Sequence, residues 1–285
     1  MRPVDRSKFG DSCLLKRPTL NLLFSYASKQ TMHAYQIATL SFLGIFGGAL
    51  AGFLIQGFLP HHHLSGESKG VVHLGAGLIA TLAALILGLL VSSTKATYDE
   101  TESLVNEMSA SYAHVDRLLA NYGAEADPIR PVLRGSLEKM LNIIWPEESK
   151  SGEKSPLQTR MELEHVDRRI SLLNATDQYQ QELKSNALHL VDDIIQKRWL
   201  LQEIVMGGGI SFILLVFPVL FIAFITLIYA LYAPRNLTVA AALLCCSLCI
   251  AIAVFLISEL SSPLQGTLKI SSKPLQIAIN QMGME

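Results

Sequence analysis

The chain has 285 residues, half of them hydrophobic, and only 16% are Asp, Glu, Lys or Arg, well below the roughly 25% usual in soluble domains. A net charge of −1 excludes a general pull toward nucleic acid. Charge is nearly absent from four long runs and ordinary between them, which is the pattern of a polytopic membrane protein rather than a soluble one.

Residues 1–33 form a basic segment with Arg2, Arg6, Lys8, Lys16, Arg17 and Lys29. The first apolar run, Ala34 to Leu59, is long enough to cross a bilayer. It lies behind that basic stretch and is too long for a signal-peptide core, so no cleaved signal is expected. Gly44, Gly48 and Gly52 set a small-residue face on it. His61, His62 and His63 occupy the following short loop. They read as a solvated loop, with zinc binding or proton sensing as lesser alternatives, and His73 sits just inside the next run. The second run, Val71 to Ser92, carries a matching strip of Ala76, Ala80, Ala84, Gly88 and Ser92. Small faces let helix backbones approach closely, so the first two helices of residues 34–92 are expected to pack on each other or on neighbouring subunits.

The helix of the second run is expected to continue out of the membrane. Tyr98, Thr101, Val105, Met108, Tyr112, Val115, Leu119 and Tyr122 alternate three- and four-residue steps, a heptad seam, and Gly123 suits the position after its end. Another helix spans Pro128 to Trp145, with Ile129, Val132, Leu133, Leu137, Met140, Leu141 and Ile144 on one face. Residues 147–158 read as a mobile polar linker. From about Thr159 the helical pattern resumes through Leu163 to Leu173, slips near Asp177, and continues through Leu183, Ala187, Leu190, Ile194, Leu201 and Ile204. Residues 93–205 therefore form a helical domain built on an antiparallel stalk, whose register predicts Glu102 opposite Lys197 and Arg198.

The second hairpin, 206–260, comprises Met206 to Ala233, with Pro218 inside, and Leu237 to Leu260. Gly207, Gly208 and Gly209 read as a flexible joint. No strand precedes them and no Lys follows, so they do not form a phosphate loop. Cys245, Cys246 and Cys249, like Cys13, read as packing thiols. Glu259 is the one acid at the edge of a span, where charge is costly and marks either a structural partner or a functional site. In the tail, 261–285, Leu275, Ile277 and Ile279 are expected to return to the membrane surface or the stalk. The two short loops hold only Lys69 and Arg235, whereas Lys95, Lys197, Arg198, Lys269 and Lys273 share a side with the basic amino terminus. The positive-inside rule then places both termini and residues 93–205 in the cytoplasm.

No HExxH, nucleophile elbow, Walker or dinucleotide motif is present, so no enzyme activity, cofactor or resident metal is expected. Lys95, Asp99, Glu100 and Glu102 lie just below the second span. In a monomer they are a solvated face; in a ring of subunits they become charges at a cytoplasmic mouth.

Three stretches carry a family likeness. They are YDETESLVNEMSASYAHVDRLLANYG with the following IRPVLRG, then KRWLLQE, then FLISELSSPLQGTLKISSKPLQIAI from Phe255 to Ile279. In the last, Glu259, Pro263, Gly266 and Pro274 stand at the family's spacing. From Ala76 to the end the chain resembles the bestrophin-like domain (DUF4239) family of bacterial membrane proteins. The resemblance implies an all-α fold with four spans in a two-plus-two arrangement around a cytoplasmic helical region, and kinship with anion channels. No acidic calcium clasp and no aromatic neck stand here, so no ion selectivity carries over.

The expectation that follows is an oligomeric ion channel of the bacterial inner membrane. Its second helix would line the axis with Ile79, Thr81, Leu82, Leu85 and Ile86. Membrane lipid, further copies of the chain and a permeant inorganic ion are its expected partners. The alternative is a membrane-anchored scaffold or regulator that holds a cytoplasmic partner on its helical domain.

Overall fold

The structure, a computed structural model, describes residues 34–58, 66–145, 156–207, 212–264 and 266–282. The basic segment 1–33 with Cys13, the His61, His62, His63 loop, nearly all of the expected linker, and Gly208 and Gly209 lie outside the described residues. Among those described the secondary structure is helical throughout. The helices are α1 (Ala34–Gln56), α2 (Gly66–Tyr122), α3 (Arg130–Ile144), α4 (Pro156–Ser171), α5 (Gln178–Gly207), α6 (Phe212–Tyr232), α7 (Leu237–Leu260) and α8 (Lys273–Gln281). Four of them, α1, α2, α6 and α7, are long and apolar enough to cross a membrane.

The helix α2 is continuous over 57 residues, about 85 Å at 1.5 Å per residue. Its first half is apolar on all sides; its second half buries the heptad seam. Thr101, Val105, Met108, Tyr112, Val115, Leu119 and Tyr122 are all buried, and Tyr98 packs at the margin. Gly123, at φ 114°, ends the helix in the left-handed region that lets the chain reverse without a Cβ clash.

The polar domain has one apolar core. Leu133, Leu137, Met140 and Leu141 of α3 close over the seam of α2, and Leu163, Val166 and Ile170 of α4 join them. The helix α5 completes it with Leu183, Ala187, Val191, Ile194 and Leu201, running antiparallel to α2; Val191 is fully buried where Leu190 was expected to be. The slip near Asp177 is a chain reversal, not a register shift. The carboxylate of Asp177 accepts the amide of Gln180 at 2.6 Å, and the Gln180 side chain in turn accepts the amide of Thr176 at 2.9 Å. These contacts cap the start of α5, so α4 ends at Ser171 and folds back on α5.

In the membrane half, α1 seats on α6 and α7 rather than on α2, which corrects the expected pairing of the first two helices. A Cβ on Gly48 would stand 2.5 Å from the Ala223 carbonyl oxygen, and one on Gly52 would press on that of Leu227 and lie 2.8 Å from the Ala230 Cβ. The hydroxyl of Thr226 donates to Ile45 O across the same contact at 3.0 Å. Gly44, by contrast, faces open space, as does Gly88 on α2. On the expected strip of α2 only Ala76 is buried; Ala80 is half-buried and Ala84 exposed. The strip fails as a unit because α2 turns a different side, centred on Ala83 and Leu90, toward α6 and α7.

After α7 the described residues 261–264 and 266–272 are irregular, and the chain then forms α8 against α2 and α3. Leu264, Ile270, Leu275, Ala278 and Met282 belong to the core of the polar domain. The tail therefore returns to the stalk, with Ile279 packed against the core and Ile277 exposed.

Candidate functional site

Two arrangements collect the residues singled out by sequence, and a third lies outside them. The first is the free side of α2. Val71, Leu74, Leu78, Leu82, Leu85 and Leu89 recur at helical spacing and are all exposed. Thr81 lies on the same side, but its hydroxyl donates to Leu78 O at 2.7 Å, so its polar atom is satisfied within the helix. Ile79 is half-buried, and Ile86 packs with Leu90 against Leu215, Val254 and Ile257; both flank the stripe rather than occupy it. Below Leu89 the stripe continues through exposed Ser92, Ala96, Asp99, Glu100 and Ser103.

The charges at that level begin with a pair on one helix face. Lys95 donates to Asp99 one turn on, and this hydrogen bond holds its ammonium above the ordinary lysine range. Glu100 and Glu102 remain exposed on the helix. The expected partnership of Glu102 with Lys197 is not the one formed: Lys197 Nζ meets Glu107 Oε2 at 3.1 Å, five residues farther from the membrane. Arg198 turns inward, donating to Ser136 O at 2.9 Å and to the Met140 sulfur at 3.1 Å, with its guanidinium over the Tyr112 ring.

The second arrangement is at Glu259. Its side chain is 6% exposed, and one carboxylate oxygen accepts the Thr267 amide at 2.7 Å, the Thr267 hydroxyl at 2.7 Å and the Leu268 amide at 3.1 Å. Gly266 makes this possible. Its φ of 92° turns the amides toward the carboxylate, and a Cβ there would lie 2.8 Å from Glu259 Oε2. The acid at the membrane edge thus clamps the loop that follows it, and the charge is matched by oriented donors rather than by a cation.

The third arrangement was not legible from sequence. Beyond the clamp, Ile270 N donates to Pro263 O at 2.8 Å, and the indole of Trp145 donates to Ile270 O at 3.0 Å. Ser109 donates to Pro274 O at 2.6 Å, and Arg134 to Met282 O at 2.9 Å. At the opposite end of the bundle Arg235 donates to Phe53 O at 2.8 Å and to Gln56 at 3.1 Å, capping α1, while the His73 ring lies tilted against those of Tyr229 and Tyr232. None of these belongs to a periodic pattern, so no spacing signals them. Among the described residues no group of three or more His, Cys, Asp or Glu is arranged to hold a metal ion.

This helical layout has counterparts among known proteins. The sequence model of the bestrophin-like domain matches residues 43–275. The chain belongs to the bestrophin-like family. Two crystal structures of point variants of a bacterial bestrophin homologue from Klebsiella pneumoniae share the fold of this bestrophin-like chain. One has a TM-score of 0.61 at 13% identity and covers 86% of this chain and 97% of its own. The other has a TM-score of 0.58 at 13% identity, with 84% and 97% covered. No curated protein matches the sequence. Family, fold and four apolar helices together make this an all-α membrane protein.

Proposed function

We propose that this bestrophin-like protein is a subunit of an oligomeric ion channel in the bacterial inner membrane, with α2 lining the axis. The observation that carries the reading is the free stripe of α2, which continues without a break from the apolar half into the polar half. Copies arranged around that stripe enclose successive rings of Leu78, Leu82, Leu85 and Leu89, with Thr81 beside them, and aliphatic rings of this kind gate by dewetting. Glu100 and the paired Lys95 and Asp99 then sit at the cytoplasmic mouth. Lys and Arg concentrate on the side of the polar domain, which supports a cytoplasmic location for it and for both termini. Lipid covers the outward sides of α1, α6 and α7, where Leu50, Phe217, Phe224 and Leu248 are exposed.

The test is reconstitution of the purified protein in liposomes with a view of the particle down the membrane normal. Ion flux through a ring with a continuous axial path is the expected result. Tight vesicles, with a monomer or a sealed dimer, would favour the scaffold reading instead.

A further inference from the structure

Three covalent connections join the membrane helices to the polar domain: α2 itself, the segment between α5 and α6, and the return segment after α7. The third differs in kind. It is held by single side chains drawn from separate elements. Glu259 at the end of α7 takes the amides of Thr267 and Leu268, Trp145 after α3 takes Ile270 O, Ser109 of α2 takes Pro274 O, and Arg134 of α3 takes Met282 O. Between these anchors Leu264, Ile270, Leu275 and Met282 are buried in the core of the polar domain. A close-packed core transmits a shift rather than absorbing it. The other two anchoring helices, α2 and α3, both contribute to that core.

We infer that Ser261–Met282 is a coupling strap that sets the position of the fourth span from the polar domain, with Glu259 as the positioning residue at its membrane end. A displacement of α3 relative to α2 moves Trp145 and Arg134 against Ser109, which shifts the strap they hold, and the strap draws on α7 through the Glu259 clamp. The clamp is the stiff point because three donors converge on one oxygen and Gly266 leaves no slack around it. The sensitivity of ion flux to the strap rests on the channel reading; the mechanical link to α7 does not.

The experiment uses the full-length protein with Cys13, Cys245, Cys246 and Cys249 replaced by Ser and nitroxides at Leu214→Cys and Leu256→Cys. Labelled copies are diluted among unlabelled ones. The variants are Glu259→Gln and Gly266→Ala, with Trp145→Phe as a milder release of the far end should either fail to fold. Three quantities are read: amide exchange over residues 266–276, the α6–α7 label distance, and liposome ion flux. Faster exchange together with a shift or broadening of about 2 Å in the distance is expected, with flux altered about fivefold or more. Faster exchange with an unchanged distance would overturn the inference, leaving the segment as packing alone. Unchanged exchange would overturn it too, since Glu259 would then not hold the strap. A shifted distance in a protein that passes no ions in any form would sustain the strap and defeat the channel reading.

Discussion

Lys197 reaches from α5 to Glu107 on α2, Nζ to Oε2 at 3.1 Å, and holds Asp193 of its own helix at 2.7 Å. This junction fixes the register of the two antiparallel arms. Hydrogen bonds from Ser103 and Lys197 hold the Glu107 carboxyl below the ordinary range. Burial lowers Lys197, but its hydrogen bonds to Asp193 and Glu107 outweigh that and leave it raised.

The pH dependence follows from those directions. The depressed Glu107 contributes stability above its ordinary value of 4.5, lost as pH falls through the lower folded value. The raised Lys197 contributes below its ordinary 10.5, lost only as pH rises through a still higher value. The difference in thermal midpoint between the native protein and Glu107→Gln is therefore expected to be flat from about pH 6 to 9 and to vanish in acid. It should also shrink in molar salt, because the Glu107 side chain is exposed. A difference that grows in acid would contradict the assignment.

Asp116 and Arg130 form a bidentate pair, both contacts at 2.9 Å, with side chains 8% and 18% exposed. Removing one partner of such a pair strands the other. Asp116→Ala is expected to cost about 3 kcal/mol in denaturant unfolding of the polar domain, whereas joint replacement by Asp116→Leu and Arg130→Met costs less than the single change. Additive losses would show that the two side chains contribute independently and are not coupled as a pair.

What was legible in the sequence is what repeats. Val105, Met108, Tyr112, Val115 and Leu119 announce the α2 seam because a helix buried on one side must place apolar residues there every turn. The family likeness, carried by Glu259, Gly266 and Pro274, marked the strap as notable. Its partners were not legible, since Trp145 and Ser109 lie over a hundred residues away from the carbonyls they bond and follow no period. The α4–α5 reversal was misread although Asp177 with Gln180 three residues later is a capping signal; the apolar spacing on either side masked it. The pairing of Gly48 and Gly52 failed for a further reason: a small-residue face says that something approaches, not which helix does.

That face yields a contrast within one helix. Gly52→Ala drives a Cβ against Leu227 O and Ala230, both fixed by the α6 backbone, and is expected to loosen the α1–α6 contact and lower the thermal midpoint in detergent. Gly44→Ala meets nothing within 4 Å and should be neutral or stabilising by up to about 1 kcal/mol from helix propensity. Equal effects of the two would mean that α1 does not seat on α6 through this face.

Trp145 isolates the hydrogen bond from the packing at the strap's centre. The residue is 2% exposed and its indole N–H is the donor to Ile270 O at 3.0 Å. Trp145→Phe keeps an apolar ring but leaves a buried carbonyl without that donor, a cost of about 1–3 kcal/mol. The loss should be local. Amide exchange is expected to rise over Leu268–Leu275, while Ala187 and Ile194 keep their protection, because they belong to α5, whose main packing partner is α2. Exchange that rises equally across α5 would show that Trp145 supports the whole domain, and the strap would then have no separate stability to lose.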